Sequence, residues 1–147
     1  MDTAPVDIDD TLLRDILRDA RVIAVVGWSP DPARPSHFVA DYLAGQGYRI
    51  LCINPGHAGQ VVHGHPVLAS LADVPDDLPV DMIDIFRRPQ DVPAVVAEAL
   101  AHLPHLRTVW MQIGVSNPDA AAMARAAGKT VVMERCPLRE HPRLFGR

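Results

Sequence analysis

Two groups of residues in this chain have the types and spacing to hold an anion. Ser29, Arg34 and Ser36 share one proline-rich loop behind Gly27. Their hydroxyls can donate to oxyanions, the guanidinium adds charge, and a serine opening a helix brings free amides with it. Phe86-Arg87-Arg88 is the second group, an aromatic able to stack on a base followed by paired cations. Each has a plainer reading. The loop also fits a stiff turn with a capping serine and a solvated arginine, and Arg87 and Arg88 also fit surface pairs with Asp31 or Asp91; which arginine would face a ligand stays open.

Residues for catalysis are scarcer. Cys136 is a nucleophile only if its surroundings lower its pKa, with Arg135 or His141 to assist; a small buried thiol is the simpler reading, and Cys52 lies inside an apolar run. His63-Gly64-His65 puts two imidazoles on one side of an extended segment near His57, yet no third ligand stands out, so no metal site is expected. Asp81 and Asp84 lie three apart and tend to opposite faces of a strand, which makes no acid/base pair. We assign no catalytic residue.

The elements that must position these residues begin with Val22-Ile-Ala-Val-Val-Gly27. An apolar, β-branched run ending in glycine reads as a strand buried on both faces, the kind found in parallel sheets covered by helices. Further strands follow at 48–54, 80–86, 106–111 and 129–133. The acids at 81 and 84 mark strand ends or an edge position in the third. Helices alternate with these strands: one at about 9–20 capped by Asp10 or Thr11, one from a Ser36 cap through Gln46 to a stop at Gly47, one from Pro89 to about His102, and one from Asn117-Pro118 to Ala127. Residues 57–66 read as an excursion, and Ser70 caps a one-turn helix. The pattern is α/β with right-handed parallel units.

A parallel sheet carries its strand-end segments to one rim, and here these are Gly27-Trp28-Ser29, Asn54-Pro55, Phe86-Arg87-Arg88, Gln112-Ile113-Gly114 and Glu134-Arg135-Cys136. A dinucleotide glycine fingerprint is missing, and Asn54 rather than an acid ends the second strand, which disfavours nicotinamide chemistry. Asn54-Pro55 either borders a ribose or phosphate or simply ends the strand.

Composition bounds the rest. The 147 residues fit a single domain, 1–147, and a net charge of -4 disfavours nucleic acid as a partner. No apolar run spans a membrane, and the opening residues 1–7 are acidic where a leader would be basic, so the expected setting is the cytoplasm.

Taken in order, Val22 through Ser36, Asn54-Pro55, Ser70-Leu-Ala-Asp73, Asp84-Ile-Phe-Arg-Arg88, Trp110-Met-Gln-Ile-Gly-Val115 and Met133-Glu-Arg-Cys-Pro137 resemble the small bacterial and archaeal CoA-binding domain proteins. Their fold is similar to the CoA-binding domain of succinyl-CoA synthetase α-subunits. The resemblance implies a Rossmann-like three-layer sandwich with a mostly parallel five- or six-stranded sheet, and coenzyme A as the ligand. By the family motif, Gly27, Ser29, Arg34 and Ser36, with Trp28 between them, form the first phosphate-facing loop; Asn54 and Pro55 border the nucleotide; Phe86, Arg87 and Arg88 close another side; Gln112, Gly114 and Cys136 line the far rim. The family usually has Met-Asp-Arg-Cys where this chain has Met133-Glu-Arg-Cys136, which puts a direct role for Glu134 in doubt.

The synthetases use a catalytic histidine on a separate domain, and the histidines of this chain do not match it. Binding of CoA or acyl-CoA without turnover is therefore the favoured expectation. A nucleotide- or CoA-dependent enzyme and a scaffold with a decayed pocket are the alternatives. An exposed sheet edge or the opening helix offers a surface for a homodimer.

Overall fold

A computed structural model describes residues 8–146 of the chain. The acidic opening segment, 1–7, lies outside the described residues. Five parallel strands form the central sheet: β1 (Val22–Val26), β2 (Arg49–Ile53), β5 (Met82–Ile85), β6 (Thr108–Met111) and β7 (Thr130–Met133), in the order β2-β1-β5-β6-β7. All four pairings in this sheet are parallel, and the antiparallel pair β3 (Val61–Val62) and β4 (His65–Pro66) stands apart as a small hairpin. The architecture is a Rossmann-like α/β sandwich.

Alternation along the strands divides the core in two. Ala24, Val26, Ile83, Ile85, Val109 and Met111 pack against α3 (Val92–His102) and α4 (Pro118–Ala126). Ile23, Val25, Ile50, Met82, Trp110 and Val132 face α1 (Asp10–Asp19), α2 (Pro35–Gly45) and α5 (Pro137–Phe145). With helices on both faces, the strands have no solvated side, which is why they read as continuous apolar runs rather than alternating ones. Leu13, Ile16 and Leu17 attach α1 to this core, at about 1.5–3 kcal/mol for each fully buried side chain.

Several expectations need correction. Asp9, not Asp10 or Thr11, caps α1, its carboxylate accepting from the Leu12 amide at 2.8 Å. Pro35 takes the first position of α2 and Arg34 the cap position, so Ser36 lies one residue inside the helix. Its hydroxyl oxygen accepts instead from the Ser29 amide at 3.0 Å, a tertiary contact that helix-capping logic does not foresee. Ser70 makes no capping bond either; its hydroxyl donates to Asp73 at 3.2 Å, and the Leu71 amide is taken by Glu98 at 2.9 Å.

The third strand is not at an edge. β5 is the middle strand of the five, and Asp84 sits within it between Val25 and Trp110, wholly buried. Asp81, just before the strand, accepts from the Arg21 and Val22 amides. His63 and His65 do not share a side: His63 occupies the hairpin turn with φ 52° and lies 3.0 Å from Asp41, while His65 accepts from Arg49. Among the described residues, no helix is long and apolar enough to cross a membrane.

Candidate functional site

The strand order sets the position of the site. From β1 the chain crosses through α2 on one face to β2; from β5 it crosses through α3 and α4 on the other face to β6 and β7. The loops leaving β1 and β5 therefore diverge, and a parallel sheet opens a crevice at such a switch point. A cleft of about 690 Å³ lies at this rim. That is within the ~300–1,000 Å³ range of small-molecule pockets. A smaller hollow of about 110 Å³ sits beside Asp81, Arg107, Thr108 and Thr130, where the strands begin, and there Asp81 is already engaged with backbone amides.

Gly27 forms the floor at the switch point with φ 89°, and a β-carbon there would lie 2.3 Å from the Phe86 carbonyl oxygen. The Gly27 and Trp28 amides both donate to Ile53, and the Phe86 amide donates to Val26 at 2.8 Å, so the ends of β2, β1 and β5 are tied together. Asn54 strengthens the tie. Its Nδ2 donates to the Trp28 carbonyl at 2.6 Å while its Oδ1 accepts from the Gly56 amide at 2.8 Å.

The loop between β1 and α2 is shaped by its own hydroxyls. Ser29 Oγ accepts from the Asp31 amide at 3.1 Å, and Ser36 Oγ accepts from the Ser29 amide. Each oxygen accepts a backbone proton, which leaves its own hydroxyl proton available for a second bond. His37 Nδ1–H donates to the Ser29 carbonyl at 2.9 Å, and its ring stacks on Trp28 with centroids 5.7 Å apart. Arg34 is exposed on the cleft, with no ion pair or hydrogen bond from its guanidinium among the described residues.

Across the crevice, Arg87 and Arg88 share one acid. Asp91 lies 3.7 Å from Arg87 and 3.1 Å from Arg88, whose side chain is 74% exposed. Beyond them Gln112 is buried, and its side-chain Oε1 accepts no hydrogen bond among the described residues. Trp28 Nε1 is likewise buried and unpartnered, so the cleft wall holds both a spare donor and a spare acceptor.

At the β6–β7 end, Glu134 adopts φ 59° and turns its carboxylate onto the Gly114 amide at 3.1 Å and the Ser116 hydroxyl at 2.6 Å. Those two donors hold its pKa below the ordinary value. Cys136 is buried and lines the same end. The Cys52 thiol, deep in β2, is pushed up to about 12 by burial.

Of the residues singled out from sequence, Gly27, Trp28, Ser29, Arg34, Ser36, Asn54, Phe86, Arg87, Arg88, Gln112, Gly114 and Cys136 line the cleft. Pro55 does not; it begins a one-turn 3-10 helix and faces solvent. Sequence reasoning placed Ile113 at the rim without assigning it a contact, and missed Phe38, Leu138 and Arg139 as lining residues. Leu138 and Arg139 belong to α5, a helix not foreseen, although Pro137 at its first position was a readable start signal.

Known proteins resemble this chain in sequence and in fold. The family described as "CoA binding domain" matches residues 21–142. YneT of Bacillus subtilis (strain 168) is 34% identical over 124 residues, covering 84% of this chain and 87% of that protein. A protein of known structure from Thermus thermophilus is 40% identical with a TM-score of 0.87, covering 94% of this chain and 100% of its own. One from Pyrococcus horikoshii OT3 is 33% identical with a TM-score of 0.87, covering 99% of each.

Proposed function

Because this chain belongs to the CoA-binding domain family, we propose that it binds coenzyme A or an acyl-CoA in the strand-end cleft and does so without turnover. The observation that carries the reading is the meeting at one crevice of an unpaired cation, Arg34, two hydroxyls with protons to give, and Arg87 and Arg88 across from them. This combination suits phosphates. Its nucleotide end is assigned to the β1–β5 side, where Phe86 offers a ring face and Gly27 a close approach for backbone. A cytoplasmic setting fits two free thiols.

Calorimetry with CoA, dephospho-CoA, ATP and NAD tests the proposal. CoA is expected to bind most tightly, and its affinity to fall with added chloride. Equal weak affinity for all four would refute specific recognition.

A further inference from the structure

Phosphate recognition leaves part of the cleft without a task. Phe38 and Ile113 are 42% and 48% exposed despite being large and apolar. With Leu138 they stand on α2, the loop after β6, and α5, around the same opening. Such residues scattered singly over a surface need no explanation, but two exposed ones converging on one cleft beside Leu138, which is partly buried against the core, make an apolar surface there.

Charge indicates which part of a ligand meets it. Glu134 is fixed near Ile113 and Gly114 by its bonds to Gly114 and Ser116, and its ionised carboxylate makes that end unsuitable for a phosphate. Arg34, Arg87 and Arg88 stand at α2 and after β5. A ligand laid with its phosphates on these arginines runs its sulfur end toward Ile113 and Leu138. Arg139 is exposed at the start of α5; its guanidinium has no partner among the described residues and can keep its head group in water.

Building on the CoA-binding reading, we propose that the surface formed by Phe38, Ile113 and Leu138 receives an apolar acyl group carried on the sulfur, so that the ligand class is an apolar acyl-CoA rather than free CoA. Burying one methylene raises affinity about fourfold. A half-open surface captures part of that, so hexanoyl-CoA is expected to bind about tenfold tighter than CoA or more.

The test is calorimetry on the full chain with CoA, acetyl-CoA, hexanoyl-CoA and glutaryl-CoA. Affinity is expected to rise from CoA through acetyl to hexanoyl, with glutaryl no better than CoA. Ile113→Ser and Phe38→Ser, at exposed positions and checked by thermal melting, are expected to shrink the hexanoyl-to-CoA ratio; an unchanged ratio in both refutes this surface. Equal affinity of the native chain for CoA and hexanoyl-CoA overturns the acyl proposal while CoA binding stands. Preference for glutaryl-CoA overturns it in favour of a carboxylate read by Arg139, and no binding of any CoA species removes the underlying site.

Discussion

The Phe86 carbonyl oxygen lies 2.3 Å from the place a β-carbon on Gly27 would occupy. β1 and β5 therefore leave the sheet closer together than any residue but glycine permits, and the positive φ of Gly27 adds a second bar to substitution. Gly27→Ala is expected to lose more than about 2 kcal/mol, because backbone strain and a backbone clash combine. Urea denaturation measures it. An unchanged midpoint would mean that the two loops separate freely.

Asp91 holds Arg87 and Arg88 at the mouth of the cleft while solvent screens both pairs. Replacing both arginines by alanine is expected to change stability by less than about 1 kcal/mol, as exposed ion pairs do. Affinity for CoA should drop about tenfold or more and lose much of its chloride dependence, since hydrogen bonds to charged groups contribute about 1.5–3 kcal/mol. Asp91→Asn, which frees the guanidinium groups, is expected to act in the opposite direction. Titrations at several chloride concentrations distinguish these results; a double variant with native salt dependence would remove the arginines from recognition.

Asp84 is a carboxyl wholly buried in the middle strand with neither oxygen hydrogen-bonded, and burial raises its pKa well above the ordinary value. The folded chain thus retains a proton that the unfolded chain releases, so stability falls as pH rises above the usual carboxyl range. Asp84→Asn is expected to flatten this fall, making the variant more stable than the native chain at neutral pH and no more stable in acid. Melting temperatures across pH follow it. A native chain whose stability climbs through that window in step with the variant would contradict a protonated Asp84.

Glu134 combines a strained backbone with a useful carboxylate. Removing only the carboxylate, in Glu134→Ala, keeps the strain, whereas Glu134→Gly relieves it. Glycine should therefore be more stable than alanine here by about 1 kcal/mol. The depressed pKa makes the latch between the β6 and β7 loops present above the ordinary glutamate range and lost as pH falls through its folded value. Chemical denaturation of the two variants at neutral pH reads the order, and alanine equal to glycine would deny the strain.

Where local sequence and tertiary environment agree, the chain is readable. The five strands are apolar runs because both faces are covered, and Asn117-Pro118 opens α4 as its residues predict, the asparagine accepting from the Ala120 amide at 2.9 Å. Disagreement hides the rest. α5 carries Pro142 in its interior, a residue that argues against helix, and it is held by burial of Pro137 and Leu144, with Arg143 reaching Asp10 at 2.9 Å more than a hundred residues away. With α5 unseen, Leu138 and Arg139 could not be placed at the cleft. Asp84 suggested an edge because carboxylates avoid sheet centres, and only the layers on both sides reveal that it is buried. Ser36 looked like a cap, and its partner proved to be the amide of Ser29 across the loop.

The crevice owes its place to the connectivity of the sheet rather than to any one side chain around it. It exists because the crossover after β1 and the crossover after β5 travel to opposite faces of the sheet. Exchange of the lining residues would alter what is welcomed there and how strongly, yet a vestibule would persist as long as the connectivity did. Point substitution alone can therefore change the chemistry of this crevice, with no need for a new cavity.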